Sequence, residues 1–301
     1  MTLSTALAEA EARIAEPSPG ALLRRRIFGH GGFLFGAIVV GLVLATALLA
    51  PLLAPHDPYA QDLTRRVVNP IWHADGTWRN PLGTDQLGRD YLSRLIYGAR
   101  ISLLIGVATM AISGAIGSAL GVAAGYFGGR VDMAITFLIT TRLAMPVVLV
   151  ALAVVALAGG SLKVVILVLG FLLWDRFAVV TRSATMQVRN LDYIDAARAA
   201  GCSDLRVLAS EILPNILNPL IVVATLEMAH AILLEAALSF LGLGVQPPLP
   251  SWGLMISEAK EYMFFSPWLI AVPGAALFLL VLAVNLLGDG VRDIAAPENR
   301  N

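Results

Sequence analysis

The sequence predicts an all-α, polytopic membrane protein with six transmembrane helices and both termini cytoplasmic. Of its 301 residues, 57% are hydrophobic and only 14% are charged, against roughly 45–50% and ~25% in soluble proteins. The apolar residues gather in runs of about twenty, the length that crosses a bilayer core as a helix. Between the fourth and fifth runs lies a polar, helix-forming stretch, Asp192–Asn218, that cannot sit in lipid. The formal net charge is zero, so no global basic field points to nucleic acid as a partner. The single cysteine, Cys202, cannot form an internal disulfide and suits a reducing compartment. No nucleotide-binding, zinc-protease, dithiol or nucleophile-elbow motif occurs, so any ATP chemistry belongs to another chain and no catalytic residue is assigned.

Taken in order, residues 1–32 read as a cytoplasmic tail, with a short Ala/Glu helix ended by Pro17-Ser-Pro-Gly20. Arg24, Arg25 and Arg26 precede the first span, 33–54, and orient it from inside to outside. A cleaved signal would carry an apolar core of only ~7–15 residues, shorter than this run. Residues 55–100 form a first external segment. Asp75-Gly76 between Trp72 and Trp78 signals a hairpin turn, which leaves a two-stranded flap or an irregular loop. From Asp90 onward, Tyr91, Leu92, Leu95 and Ile96 share a helical face, with Arg89, Ser93 and Arg94 elsewhere. That is the pattern of a helix lying on the outer membrane surface.

Residues 101–290 hold the other five spans. Ile101–Gly125 carries Ser113, Gly117, Gly121 and Gly125 at four-residue spacing, a ladder of small residues against which another helix can pack closely. Tyr126–Asp132 turns inside, Met133–Ala158 returns outward through a kink at Pro146, and Gly159-Gly160-Ser161 turns outside. Val164–Thr181 is the weakest span, broken by Trp174-Asp175-Arg176, and such a span tilts or turns its polar pair to a water-filled cavity. Pro219–Phe240 goes out again. Residues 241–267 form a second external segment with Glu258, Lys260 and Glu261 on a surface helix. Trp268–Leu287 comes back, and 291–301 is a cytoplasmic tail. Lys and Arg then count twelve inside and eight outside, with Arg142 within a span; six of the eight lie in the long first external segment, where charge orients a chain least.

Within 190–216, Asp195-Ala-Ala begins a run of helix formers, Gly201 interrupts it, Asp204 starts a second helix, and Leu213-Pro214 stops it. Ala196, Ala197, Ala199 and Ala200 keep the first helix thin, so a partner's cleft can close around it; the plainer reading is an ordinary connecting loop. The spacing of Asp195-Ala-Ala, Gly201 and Pro214 resembles the EAA loop of ABC importer permeases. Four further words, Pro81–Asp90, Ala124–Arg130, Ala237–Pro248 and Asn285–Asp293, resemble the second (C-type) permease subunit of dipeptide, oligopeptide and nickel importers, over about 33–293. The resemblance implies an importer-permease fold in the bacterial inner membrane, with Asp195, Ala196, Ala197, Gly201, Leu213 and Pro214 docking an ATPase subunit. It also implies the partners: a homologous permease subunit, two ATP-binding ABC subunits, an external substrate-binding protein and membrane lipid. ATP and magnesium would be held by the ATPase subunits, with no cofactor in this chain. Asp195 stands where the family usually has Glu, and Glu211 where His or an apolar residue is usual, which alters the local charge.

Ionisable groups within spans cost at least ~2.5–3.5 kcal/mol unless paired or wetted. Arg142, Asp175, Glu227 and His230 are therefore pore-lining candidates, together with their neighbour Arg176, while Glu235 reads as a structural pair. Glu227 and His230 share a helical face. A Glu-x-x-His pair can ligate metal in helical bundles, but a single copy with no second carboxylate is a weak signal beside pore lining or ion pairing, and no metal site is assigned. Arg142 and Glu227 are expected to meet a peptide's carboxylate and amine or to neutralise each other; alternatively Arg142 snorkels to a membrane surface. The leading function is half of the translocation pore of an ATP-driven importer, with peptides as the implied cargo. The rival is an ion-coupled secondary transporter using Glu227, His230 and Asp175, which repeat symmetry and paired broken helices would favour.

Overall fold

The computed structural model describes residues 19–295, so the Ala/Glu helix read before Pro17 and the residues after 295 lie outside it. The chain opens with α1 (Pro19–Gly29), α2 (Gly31–Leu48) and α3 (Ala50–Leu53). His30 caps α2, its Nδ1 accepting from the Phe33 amide at 3.0 Å. Five helical runs are long and apolar enough to cross a membrane, and a sixth crossing is made if one sharply bent pair counts as a span. There is no β-strand among the described residues, only an isolated bridge between Thr84 and Asp90.

Residues 54–90 form no flap. His73, Gly76 and Asn80 each give their amide to the residue three before, Pro70, His73 and Thr77, so these donors are spent on successive tight turns and no ladder forms. Asp90 then caps α4 (Tyr91–Phe127), accepting from the Ser93 amide at 2.8 Å and its hydroxyl at 2.7 Å.

The surface helix read at Tyr91 is instead the buried first part of α4, which runs unbroken into the second span. Tyr91, Ser93, Arg94 and Ile96 are all buried. What reverses the expected exposure is pairing. Arg89 donates to Asp85 at 2.6 Å, and Arg94 bridges Asp85 and Glu258, each at 2.7 Å. Glu258 ends α12, Trp252–Glu258 (numbered in chain order, with α5–α11 below), whose Trp252, Gly253, Leu254 and Met255 are buried. That helix is a wedge rather than a surface element, locked by the Trp252 indole donating to Leu95 O at 2.9 Å. Lys260 and Glu261 do face outward, on the following turn. Burial pushes the Glu258 carboxyl above its ordinary range, against the opposing pull of Arg89.

α5 (Gly129–Leu143) and α6 (Val147–Ala158) are bent by 84° about the residues between them, a break where a kink was expected. Pro146 has no amide to continue the ladder. α7 (Leu162–Leu172) and α8 (Asp175–Arg189) are interrupted at Leu173–Trp174 but together form one membrane-length run, longer than the weak span read from the sequence. Its polar end is held by Arg182, which pairs through both Nε and Nη2 with Asp132 of α5, the latter at 2.7 Å. After α9 (Asp192–Ala199) and α10 (Asp204–Arg206), α11 (Leu217–Phe240) and α13 (Trp268–Ala295) complete the bundle.

The small-residue ladder lies against α8. A Cβ at Gly117 would come within 2.2 Å of Trp174 O, at Gly121 within 2.0 Å of the Thr181 hydroxyl, and at Gly125 within 2.7 Å of Thr185 Cβ. Ser113 is fully buried in the same row, its hydroxyl returned to Thr109 O at 2.8 Å. Glu235 is also buried, and it accepts from Ser239 at 2.7 Å and Ser251 at 2.9 Å rather than from a cation.

Segments 54–90, 159–161 and 241–267 gather at one end of the bundle, where a Cβ at Gly160 would meet Gly244 O and where Arg94 meets Glu258. At the other end His30 meets Asp293 at 3.1 Å, and Arg292 shares a cavity with Gln187, Asn215 and Asn218. The start of α2 and the end of α13 therefore lie at the same end of the bundle as the 190–216 stretch.

Two substitutions test this packing. Asp85→Ala leaves two buried guanidiniums short of a carboxylate and should cost about 3–5 kcal/mol, read as a lower melting temperature of the purified protein. Gly117→Leu should sharply reduce the yield of folded protein, because backbone rather than a movable side chain stands in the way; an unchanged yield would show that α4 and α8 can part.

Candidate functional site

Two features stand out from the apolar bundle: a projecting knuckle at one end, and a polar cavity at the level of the two helix breaks.

The knuckle is α9, a glycine turn, and a second helical run. Ile194 is buried with Tyr126, Val207, Ile212 and Ile216, and these anchor it. Asp195 and Ala196 face outward, Ala197 is half-buried, and Leu205 is 77% exposed. The turn closes α9 with a Schellman motif: Gly201 N–H bonds to Arg198 O at 2.9 Å and Cys202 N–H to Ala197 O at 3.1 Å. Gly201 sits at φ +81°, and a Cβ there would meet nothing within 4 Å. Backbone conformation, not space, requires the glycine.

Leu213-Pro214 does not stop the second helix. The Leu213 amide reaches back five residues to Leu208 O, in a π-turned stretch over Val207–Ile212, and Pro214 falls in the first turn of a 3₁₀ segment, where its missing donor is not needed. The path from Asp204 therefore continues into α11 as one run. Leu213 and Pro214 are both exposed on it.

The sequence reading assigned Tyr126 no role, yet it fastens the knuckle to α4. Its hydroxyl donates to Asp204 at 2.6 Å, and the Arg198 guanidinium lies 5.1 Å from its ring centre. Arg189, at the end of α8, donates to the Gly125 and Tyr126 carbonyls at 3.0 and 2.9 Å. The Ala124–Arg130 word contains this tyrosine, but only the fold shows its partner.

The polar cavity, of about 140 Å³, brings together all four pore-lining candidates, Arg142, Asp175, Glu227 and His230, with Arg176. Glu227 is 1% exposed; Arg176 donates to its Oε1 at 2.9 Å and His230 Nδ1 lies 3.4 Å from its Oε2. Glu227 is thus neutralised by Arg176 and not by Arg142. Arg142 instead turns to the end of α7, its Nε donating to Leu172 O at 2.8 Å and its Nη2 to the same oxygen. That carbonyl belongs to the last turn of α7, where no helical donor follows. Arg142 therefore ties the α5–α6 break to the α7–α8 break. A separate, larger cavity, about 630 Å³, lies along α8 and α11 between this level and the knuckle, lined by Val180, Ala184, Gln187, Asn218, Val222 and Leu226 among others.

A bundle of lipid-length helices with broken spans around buried charge, and a rigid helical projection at one end, defines a membrane permease. The chain belongs to the family described as binding-protein-dependent transport system inner membrane component, which it matches over residues 117–301. Residues 18–70 match the N-terminal TM domain of oligopeptide transport permease C. The chain is 44% identical to the di/tripeptide transport system permease protein DppC of Pseudomonas aeruginosa, over 91% of each chain. It is 43% identical to the dipeptide transport system permease protein DppC of Escherichia coli K12, over 89% of each. Among solved structures, the MetNI methionine ABC transporter in an inward-facing conformation covers 67% of this chain and 97% of its own, with a TM-score of 0.57 and 17% identity, a likeness of fold. This is a multi-pass inner-membrane transport component.

Cys202 reports on the knuckle, since it is half-buried against the Tyr126 cluster. Tyr126→Phe removes one hydrogen bond to a carboxylate, worth about 1 kcal/mol or more, and should raise the labelling rate of Cys202 by a hydrophilic thiol reagent roughly fivefold in the folded protein. An unchanged rate would show that the tyrosine does not hold the knuckle.

Proposed function

We propose that this chain is the permease subunit of an ATP-driven importer of peptides, and that the knuckle is where an ATPase subunit docks. The observation that carries the docking role is the knuckle's construction: an outward-facing, alanine-lined helix closed by Gly201 and fastened to α4 by Tyr126, beside the point where Arg189 ties the end of α8 to α4. A projection held so stiffly passes a push from a partner to the spans as a rigid-body shift. Asp195, Ala196, Ala197, Gly201, Leu213 and Pro214 form its contact surface. The names and overall identity of the relatives support peptides as the cargo.

On this reading the knuckle end, with both chain ends, faces the cytoplasm, and segments 55–90 and 241–267 face an external substrate-binding protein. A homologous permease supplies the other half of the pore, and two ATPase subunits hold ATP and magnesium. The face of α8 and α11 that runs from the polar cavity to the knuckle lines the path.

The ion-coupled alternative calls for broken helices in corresponding positions of two structural repeats, whereas the two breaks here fall in neighbouring runs. Uptake decides between the two readings. An importer stops when its ATPase subunit is inactivated and continues when the ion gradients are collapsed; the reverse result would establish ion coupling.

Docking is tested at Gly201. Gly201→Ala meets no neighbour and costs only the left-handed backbone, about 1–2 kcal/mol, so the protein should insert and retain most of its uptake. Gly201→Trp adds bulk on the exposed side and should insert equally well yet lose at least about tenfold in ATP-dependent uptake by vesicles. Wild-type uptake by the tryptophan variant would remove the knuckle from the docking surface.

A further inference from the structure

The polar cavity contains an acceptor that nothing in the fold uses. Asp175 is 6% exposed and lines the cavity, and no side-chain hydrogen bond or ion pair reaches its carboxylate among the described residues. It stands at the first residue of α8, where the helix dipole favours a negative charge and helps the site tolerate it. A buried carboxylate without donors is otherwise costly. Its neighbours are differently placed. Both Glu227 oxygens are engaged, by Arg176 and His230, and Arg142 is engaged by Leu172 O. Arg176 is 56% exposed at its side chain and uses one nitrogen on Glu227, leaving further donors open to the cavity.

We propose that Asp175 binds the amino-terminal ammonium group of a peptide in transit, with the free donors of Arg176 taking the first carbonyl of the peptide. The assignment rests on the importer reading above and deepens it. It gives Asp175 the amine that the sequence reading placed on Glu227, because the charge of Glu227 is already met by Arg176 while no cation reaches Asp175 among the described residues. The cavity, about 140 Å³, is the smaller of the two described above and suits the end of a peptide. No group of three or more His, Cys, Asp or Glu among the described residues is placed to hold a metal ion. An ammonium supplies three N–H donors to an acceptor lacking any, and a charge-assisted contact of this kind is worth a factor of ten or more in occupancy, on the order of the effect sought below.

The test uses the assembled transporter, with its partner permease, ATPase subunits and binding protein, in proteoliposomes. ATP-dependent uptake of a dipeptide by the unaltered complex is measured first; if there is none, the importer reading falls and this assignment with it. The same dipeptide, with photo-leucine as its first residue, is then irradiated during turnover. Labelling should map to residues 173–176 or 227–230, should fall about tenfold in Asp175→Asn, and should return in Asp175→Glu. Uptake with labelling confined to other segments, or labelling undiminished in Asp175→Asn, overturns the site while leaving the importer reading intact. Loss of labelling when sodium or potassium replaces choline would assign the carboxylate to an inorganic cation and also overturn it. The mapping in the unaltered complex decides the matter even if Asp175→Asn fails to assemble.

Discussion

The contact on which the other features hang is the backbone approach of α4 and α8 along Gly117, Gly121 and Gly125. In a bilayer, apolar side chains gain little by leaving lipid for one another, so close packing of small residues must hold the helices together. Here it fixes α8 against α4, the longest helix among the described residues, over about two turns. α8 begins at the polar cavity, with Asp175 and Arg176, and ends at the knuckle, with Arg189. The row of glycines therefore holds both features to the same pair of closely packed helices.

The cavity shows how charge is made tolerable inside an apolar bundle. Two helices break at the same level, and a break frees backbone groups that must find partners. Arg142 answers the orphan carbonyl of Leu172, and Arg176 and His230 answer Glu227. Each charged side chain is thus either satisfied by a neighbour or left facing space, and Asp175 is the buried group that faces space. The opposite end of the bundle solves a similar problem with Arg89, Arg94, Asp85 and Glu258. There two guanidiniums and two carboxylates cancel among themselves, with only the Arg94 Nε of the four side chains buried and unbonded, so that cluster is a clasp between two segments and not a site.

The proposed docking role asks for rigidity where a partner pushes and division where spans move. Tyr126, Asp204 and Arg198 join α4 to the stretch between α8 and α11, which offers the first. The 84° break between α5 and α6 and the gap between α7 and α8 offer the second. Arg142 bonds from one break to the other, at Leu172 O.

The sequence by itself determined the all-α membrane class, the order of the apolar runs, the small-residue ladder and the glycine turn of the knuckle. These are set by local chemistry: run length against bilayer thickness, side-chain size, and the one residue type that accepts a positive φ freely. It also picked out Arg142, Asp175, Glu227 and His230, because charge in an apolar run is conspicuous without any fold. Only the tertiary structure decided what those charges meet. Arg142 pairs with a carbonyl thirty residues away and Glu227 with Arg176 rather than Arg142, and neither distance is written in a linear spacing. For the same reason the helix at Tyr91 was read as lying on a surface: Arg89 and Arg94 look solvated until Asp85 and Glu258 are brought to them. Pro214 looks like a stop until a π-turn shifts the hydrogen-bond register ahead of it. Burial of a charge and passage through a proline both depend on partners supplied from elsewhere in the chain, and that supply is what folding adds.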